Sequence, residues 1–155
     1  KNKKAFSPIS TITTILSMFG KQYEYADIAF EINGDETLKI IGKENELKQV
    51  LLNLFNNAKD AFYSHGIKVR KIEVSIERDR EFAVLNVSDN AGGMPTEIME
   101  KVFEQYYTTK GDKGTGIGLY ICKKIIEESF GGKIEAKNIN GGTVFVIKIP
   151  AEQES

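Results

Sequence analysis

Three glycines at alternate positions form the stretch of this sequence whose spacing points most directly to chemistry. Residues 111–120 read GDKGTGIGLY, and Gly114, Gly116 and Gly118 lead into an apolar pattern that continues as a helix. A loop of this kind presents bare backbone N–H groups at the start of a helix, where the helix macrodipole favours anions. The spacing therefore predicts a phosphate site, although a glycine-rich loop on its own can also be a simple turn.

The two commonest phosphate-binding motifs do not fit this loop. A P-loop requires Gly-Lys followed by Ser or Thr, whereas the Gly-Lys pairs here are followed by Gln22, Glu44 and Ile134. A dinucleotide fingerprint directly follows a strand and would require glycine at positions 114, 116 and 119. Position 119 is Leu119, and the residues before the loop do not have a strand pattern. Both motifs are therefore disfavoured.

A second glycine motif lies upstream, where residues 89–94 read DNAGGM after a predicted strand. Asp89 could simply cap a turn, which is a common role for aspartate. A carboxylate held at the end of a strand could instead accept a hydrogen bond from an amino group, such as the exocyclic amine of adenine. Gly92 and Gly93 would then let a flat ring approach the backbone closely.

A third polar motif lies on one face of a long predicted helix. The side chains on this face recur at steps of three and four and are Glu46, Gln49, Asn53, Asn57 and Asp60. Most such stripes are solvated helix faces, but asparagine competes with the helical backbone. Three asparagines in mid-helix, Asn53, Asn56 and Asn57, are therefore costly without a use. An amide oxygen is a suitable ligand for a hard cation, so we expect Asn57 to bind Mg²⁺ if the glycine motifs hold phosphates.

Composition and net charge limit the class of protein and the partners to be expected. The chain has 155 residues, of which 41% are hydrophobic and 28% charged, as in an ordinary globular domain. Its net charge of −1 provides no electrostatic case for nucleic acid or an anionic membrane. We therefore expect no nucleic-acid partner and no membrane contact by this fragment. The isolated domain is expected to be a monomer. The single cysteine, Cys122, is expected to be a small buried residue rather than a reactive thiol.

The hydrophobic periodicity predicts helices and strands that intermix without regular βαβ alternation. Ser7 and Pro8 are typical of a helix start, and Gly20 is expected to end that helix. The other predicted helices cover residues 45–62, 96–102 and 116–129. The predicted strands cover residues 26–32, 38–41, 71–77, 81–87, 133–137 and 143–149. This pattern indicates a two-layer α/β sandwich, with a mixed sheet of about five strands and three main helices on one face.

The three motifs, in this order, resemble those of the ATP-binding catalytic domain of sensor histidine kinases. The superfamily also includes the ATPases of DNA gyrase, mismatch repair and heat-shock chaperones. Residues 53–58 resemble the N box of this family, and residues 89–94 resemble its first glycine box. The remaining boxes correspond to residues 103–110 (phenylalanine box), 114–119 (second glycine box) and 141–145 (last strand turn). The resemblance covers roughly residues 20–150 and implies the Bergerat ATP-binding fold.

The resemblance implies a role for each matching residue around Mg-ATP. Asn57 would ligate Mg²⁺, and Asn53 would support the phosphates from one turn earlier. Asp89 would bind the adenine amine, with Thr143 nearby. Gly93 and Met94 would pass along the base. The backbone N–H groups expected to cradle the phosphates are those of Gly114, Thr115, Gly116, Ile117, Gly118 and Leu119.

Residues 90–113, about 24 in number, are too long for a plain connection, so we expect this segment to be functional or mobile. The resemblance implies that it is the ATP lid. The resemblance implies that Lys110 or Lys113 would reach the γ-phosphate, and Asn53 and Lys110 are the predicted catalytic residues. Phe103 and Tyr106 or Tyr107 would set the lid and contact a partner domain. Packing in the core remains an equal alternative for Phe103.

Two residues, Ala91 and Asn53, differ from the usual family pattern, and each difference leads to an expectation. Ala91 replaces the usual first glycine of its box, so we expect an ordinary backbone turn there. Asn53 stands where ATP-hydrolysing members usually have a glutamate as general base. An amide cannot accept a proton at neutral pH, so slow hydrolysis is expected. Asp60 receives no role.

The phosphate acceptor is expected to lie outside this chain. His65 is the only histidine, and it lacks the neighbours of the acceptor motif, so a surface-loop position is expected. The resemblance implies a histidine on a separate dimerisation domain and a response regulator downstream. Residues 1–8 would be a linker stub, residues 9–150 the catalytic domain and residues 151–155 a polar tail. The domain would face the cytoplasm, with a parent kinase that could be membrane-anchored.

Two other functions stay open on the residues alone. One is a nucleotide-sensing interaction module of the same fold that transfers nothing. The other is an ATP-hydrolysing clamp of the gyrase type, which predicts rapid turnover by the isolated chain. Asn53 argues against the clamp, because it cannot serve as a general base.

Overall fold

The hydrophobic pattern of the chain forms seven strands and four helices in a computed structural model, which describes residues 3–104 and 118–153. The strands are β1 (Lys4–Phe6), β2 (Ile28–Gly34), β3 (Ile40–Gly42), β4 (Arg70–Asp79), β5 (Phe82–Asp89), β6 (Lys133–Ile139) and β7 (Gly142–Pro150). The helices are α1 (Pro8–Tyr25), α2 (Glu44–Ser64), α3 (Thr96–Met99) and α4 (Gly118–Lys124), and α4 continues as a π-helical turn over Ile125–Ser129.

Five of the strands form one mixed sheet in the order β2-β4-β5-β7-β6. β2 and β4 are parallel, and the other neighbours are antiparallel. The parallel pair requires a long crossover, which the chain supplies through β3 and α2. The predicted two-layer α/β sandwich with a five-stranded mixed sheet is therefore confirmed.

The core lies between the sheet and its helices. Strand residues alternate between buried and more exposed positions, as a sheet with one covered face requires. Ile72, Val74 and Ile76 of β4 are at most 1% exposed, and the α2 stripe that includes Leu51 and Leu54 is equally buried. This packing fixes the direction of α2, and therefore the direction in which its polar face points.

Helix α1 begins as predicted but ends later. Ser7 is the N-cap, and its side chain accepts a hydrogen bond from the Ser10 N–H. The expected end at Gly20 is wrong, because the helix continues to Tyr25. A glycine inside a helix costs about 1 kcal/mol. Continuing the helix buries Tyr23, which makes an edge-to-face contact with Phe55. The free energy gained by burying this large side chain exceeds the cost of the glycine.

The first described residues belong to the folded domain. β1 pairs antiparallel with β3 in a small second sheet, and Phe6 makes an edge-to-face contact with Phe130. The strand predicted over residues 38–41 is observed as Ile40–Gly42. That residues 1–8 derive from a linker to a preceding domain stays a prediction, as does the division at residues 9 and 150.

The start of the polar tail is hydrogen-bonded. The Ala151 N–H donates to the Glu81 carbonyl, and the Glu152 N–H donates to the Lys39 carbonyl. These bonds tie the end of β7 to neighbouring elements. Among the described helices, none has the length and apolar character needed to cross a membrane.

Candidate functional site

Asp89, the last residue of β5, has its carboxylate fixed by the backbone around it. Its Oδ1 accepts hydrogen bonds from the Ala91 N–H at 2.9 Å and from the Thr143 N–H at 3.4 Å. Burial raises the pKa of Asp89 above its ordinary value, and these two hydrogen bonds and the nearby His65 oppose the shift. The result is a partly buried hydrogen-bond acceptor at the end of a central strand.

The sheet register places Thr143 directly beside Asp89. The two residues are opposite each other in the antiparallel β5–β7 pair, and Thr143 is only 4% exposed. Gly142 makes this approach possible, because a Cβ at that position would lie 1.7 Å from the Asp89 carbonyl oxygen. The structure therefore brings together two residues predicted from separate motifs.

The turn after Asp89 is held by side-chain and backbone hydrogen bonds. Asn90 accepts from the Lys71 N–H at 2.8 Å and donates to the Val69 carbonyl at 2.7 Å. The Gly92 N–H donates to the Gly141 carbonyl at 3.0 Å. The turn is consequently tied both to β4 and to the β6–β7 hairpin.

Glycines occupy the positions of this turn that have positive φ. Gly92 and Gly93 have φ values of +103° and +76°, which glycine adopts at little cost. Among the described residues other than glycine, only Asp27 and Arg80 have positive φ. The expectation that Ala91 takes an ordinary backbone conformation is therefore confirmed.

On α2, Asn53 and Asn57 lie one turn apart on a partly buried face. The Asn53 Nδ2 is 3.5 Å from the Gly118 carbonyl oxygen and 3.7 Å from the Cys122 Sγ. Asn53 thus faces the first turn of α4, where the predicted phosphate loop ends. The structure brings the N box and the end of the second glycine box together.

Asn56 has a separate, structural use. Its Oδ1 accepts a hydrogen bond from the Tyr23 hydroxyl at 3.1 Å. Burial raises the pKa of Tyr23 to about 12, so this phenol remains protonated and able to donate. One of the three costly asparagines is therefore explained by packing of α1 on α2.

Several predicted site residues lie outside the described part of the chain. They are Lys110, Lys113, Gly114, Thr115, Gly116, Ile117, Tyr106 and Tyr107. Of the same motifs, Gly118 begins α4, and Leu119 packs half-buried against the core. The described start of the predicted lid, residues 90–104, contains the short helix α3.

Three other sequence expectations can be followed in the structure. Phe103 makes an edge-to-face contact with Phe145 at 6.2 Å between ring centroids, which is packing on the core. Cys122 is fully buried, and burial raises its pKa to about 12, as expected for an unreactive thiol. His65 is exposed at the end of α2, and its Nδ1 contacts the Ala91 carbonyl oxygen.

Sequence reasoning missed two contacts beside Asp89. The His65 contact joins residues 26 positions apart. Asn138 forms two hydrogen bonds with the Met94 backbone across 44 positions. Neither residue carries a sequence signal for its contact, because an exposed histidine after a helix and an asparagine before a turn are both ordinary.

Asn53 and Asn57 supply amide groups that could bind a cation at this site. No group of three or more His, Cys, Asp and Glu side chains within residues 3–104 and 118–153 could hold a metal ion. Mg²⁺ commonly takes few protein ligands and completes its octahedron with water and substrate phosphates. An asparagine oxygen together with a triphosphate fits that pattern.

Comparison with known proteins identifies the family. Residues 42–153 match the profile of the histidine kinase-, DNA gyrase B- and HSP90-like ATPases. The chain therefore belongs to this family, and the resemblance that its motifs suggest is confirmed.

Its curated relatives are sensor kinases. The chain is 37% identical to the sensor histidine kinase ZraS of Salmonella typhimurium over 90% of its own length and 29% of that protein. It is 36% identical to sporulation kinase C of Bacillus subtilis over 84% of its length and 30% of that protein. With the two-component sensor PprA of Pseudomonas aeruginosa it shares 31% identity over 94% of its length and 16% of that protein. The chain thus spans less than a third of these relatives.

Solved structures of histidine kinases have the same fold as this chain. The catalytic domain of the histidine kinase ThkA superimposes with a TM-score of 0.86 at 32% identity, covering 97% of this chain and 96% of that one. ThkA in complex with the response regulator protein TrrA gives a TM-score of 0.78 at 30% identity, over 96% of this chain and 41% of that one. The fold described above is that of a histidine-kinase catalytic domain.

Proposed function

We propose that this chain binds Mg-ATP and donates its γ-phosphate to a histidine on a separate dimerisation domain in two-component signalling. The observation that carries the proposal is the Asp89 carboxylate, fixed at the end of β5 by the Ala91 and Thr143 N–H groups. The family membership supplies the class of ligand. The position of Asn53 against α4 supplies a second point of contact for it.

At the base end of the site, Asp89 would recognise adenine. Its Oδ1 accepts the two backbone hydrogen bonds, and we assign Oδ2 to the exocyclic amine of the base. Thr143 lies opposite Asp89 and would support the same edge of the ring. Gly93 and Met94 would pass along the face of the base, where a glycine leaves room for a flat ring.

At the phosphate end, α2 and the loop before α4 would hold the triphosphate. Asn57 would ligate Mg²⁺ through its amide oxygen, and the ion would offset phosphate charge. The backbone N–H groups of residues 114–119 would cradle the phosphates. Lys110 would reach the γ-phosphate, and Asn53 would orient the phosphates from the helix.

The chain would act by positioning and charge stabilisation. A histidine imidazole nitrogen of the partner attacks the γ-phosphorus, the bond from that phosphorus to the bridging oxygen breaks, and ADP leaves with its negative charge. Such a transfer needs little covalent help from the protein. Asn53 cannot take a proton, so it would not activate water, and we expect hydrolysis to be slow.

The acceptor and the downstream partner would both lie outside this chain. His65 lacks the neighbours of the acceptor motif, and its Nδ1 contacts the Ala91 carbonyl oxygen, so we assign it no phosphate-acceptor role. The complex of ThkA with its response regulator supports a response regulator as the partner of the parent kinase. We propose a cytoplasmic, monomeric domain, with the parent protein either anchored in a membrane or free.

Transfer in trans tests the proposal. The chain is mixed with the dimerisation domain of its parent kinase and ATP labelled at the γ-phosphate, and label on that domain is measured. We expect label that is absent when the acceptor histidine is replaced by glutamine. ATP binding without any transfer would favour the nucleotide-sensing interaction module. Rapid phosphate release by the chain alone would favour a gyrase-type clamp.

A further inference from the structure

The turn after Asp89 is clamped from the far hairpin by one exposed side chain, Asn138 of β6. Its Oδ1 accepts a hydrogen bond from the Met94 N–H at 2.9 Å, and its Nδ2 donates to the Met94 carbonyl at 2.5 Å. The side-chain amide thus pairs with Met94 as a neighbouring strand would. Because one partner is a fixed donor and the other a fixed acceptor, the amide has a single orientation that satisfies both.

The contact depends on a close approach at Gly93. This residue has a φ of +76°, and a Cβ built on it would lie 3.0 Å from the Asn138 Oδ1 and 3.2 Å from the Gly142 carbonyl oxygen. A side chain at position 93 would therefore press on Asn138 and on the hairpin. The glycine serves the clamp as well as the predicted approach of a base.

Asn138 also stands in register with the residues proposed to bind adenine. It lies opposite Thr143 in the β6–β7 pair, and Thr143 lies opposite Asp89 in the β7–β5 pair. Side chains that are directly opposite in a sheet share one face. Asn138, Thr143 and Asp89 therefore form one row across three strands, and Asn138 connects the outer end of this row to Met94.

We propose that Asn138 is a positioning residue, which sets the Gly93–Met94 backbone at the distance from Asp89 and Thr143 that an adenine ring requires. It acts through Met94 and does not itself contact the nucleotide. The inference rests on the proposed function, because it assigns a task to the same base end. It adds a determinant of nucleotide affinity that lies in none of the sequence motifs.

The test separates the base end from the phosphate end by calorimetry on this chain. Asn138→Ala is titrated with Mg-ATP and, separately, with magnesium tripolyphosphate, which has no base. Loss of two hydrogen bonds that hold an exposed loop is expected to weaken ATP binding about tenfold. Tripolyphosphate affinity should stay as in the unmodified chain. Asn86→Ala is the matched control, because Asn86 contacts Ser75 within the same sheet and is expected to leave both affinities unchanged.

A second variant and a second measurement keep the test decisive. Asn138→Asp retains the shape and the acceptor for the Met94 N–H but turns a carboxylate oxygen towards the Met94 carbonyl, so it should also lose ATP affinity. Hydrogen exchange at the Met94 amide should accelerate in Asn138→Ala. If the unmodified chain fails to bind ATP, the proposed function fails and takes this inference with it. If the chain binds ATP and both Asn138 variants bind it equally well, or if both ligands weaken alike, this inference alone is overturned.

Discussion

The two ends of the proposed nucleotide site are held in different ways. At the base end, the hydrogen bonds of Asn90 and Gly92 measure 2.7 to 3.0 Å and join the turn to β4 and to the β6–β7 hairpin. Asp89 accepts two more, from the Ala91 N–H at 2.9 Å and from the Thr143 N–H at 3.4 Å. At the phosphate end, the contacts of Asn53 with Gly118 and Cys122 measure 3.5 and 3.7 Å. The base end is therefore held by several hydrogen bonds, most of them between 2.7 and 3.0 Å, whereas the two contacts of Asn53 with α4 are longer.

The difference follows from the elements that build each end. The base end lies at the ends of hydrogen-bonded strands, whose register sets the positions of Asp89 and Thr143. The contacts described at the phosphate end come from the Asn53 side chain, which reaches from α2 to α4 and can adjust by rotation. A pre-organised end contributes affinity because little order has to be created on binding. We therefore expect the base end to determine whether ATP binds, and the phosphate end to determine how binding depends on Mg²⁺.

The largest expected effect comes from breaking the base end at Asp89. In Asp89→Asn the Oδ1 can still accept the Ala91 N–H, but the new amide N–H₂ would face the amine of adenine, donor against donor. ATP affinity should fall about 100-fold, as expected when a buried polar contact is left unmade. Calorimetric titration measures this loss. Ser88→Ala is the control, because Ser88 precedes Asp89 and its Oγ contacts the Glu73 carbonyl oxygen. A loss in Asp89→Asn no greater than in Ser88→Ala would remove the adenine role.

A smaller effect is expected at the phosphate end. Asn57→Ala should abolish the part of ATP affinity that depends on Mg²⁺, a loss of about tenfold if one ligand of the ion is removed. Titrations with and without Mg²⁺ measure it, and the two curves should coincide in the variant. Asn56→Ala is the matched control, since Asn56 is bonded to Tyr23 rather than placed at the site. It should lower the melting temperature and keep the Mg²⁺ dependence, and a Mg²⁺ dependence retained in Asn57→Ala would contradict the ligand role.

The smallest expected effect is on thermal stability, and it tests how burial acts on the Asp89 carboxylate at the base end. Burial holds the pKa of Asp89 above its ordinary value, so the ionised form is less favoured in the folded chain than in the unfolded one. This carboxyl therefore contributes most to stability below its unfolded pKa of about 4, and that contribution is lost as pH rises through the folded pKa. Asp89→Asn should accordingly melt at a higher temperature than the unmodified chain at pH 7, with the gain shrinking towards pH 4.

Asp35 provides the opposite control for that measurement. Hydrogen bonds from the Thr37 hydroxyl and N–H hold the pKa of Asp35 below its usual range. Its contribution is therefore present above its unfolded pKa and lost as pH falls. Asp35→Asn should lower the melting temperature at pH 7. If Asp89→Asn also lowers the melting temperature at pH 7, then burial of the ionised Asp89 does not destabilise the folded state, and the desolvation that we assign to this carboxylate is wrong.

Much of the fold could be predicted because its signals are local. The alternation in residues 71–77 and 81–87 follows from one covered sheet face, and Ser7-Pro8 marks a helix start through its own hydrogen bond. The end of α1 could not be predicted, since its continuation past Gly20 depends on the burial of Tyr23 against α2. The strand β1 was missed for a similar reason: three residues pair only because β3 lies beside them.

The amino-acid sequence by itself determined the order of the motifs, the family they define and the residue types available to a base, a metal ion and a phosphate chain. Those properties are carried by single residues and short spacings. Only the tertiary structure decided that Asn56 bonds to Tyr23, that His65 contacts Ala91 and that Asn138 clamps Met94. These contacts join residues 26 to 44 positions apart. Helix packing and strand register bring such residues together, and neither can be deduced from the types of the residues that meet.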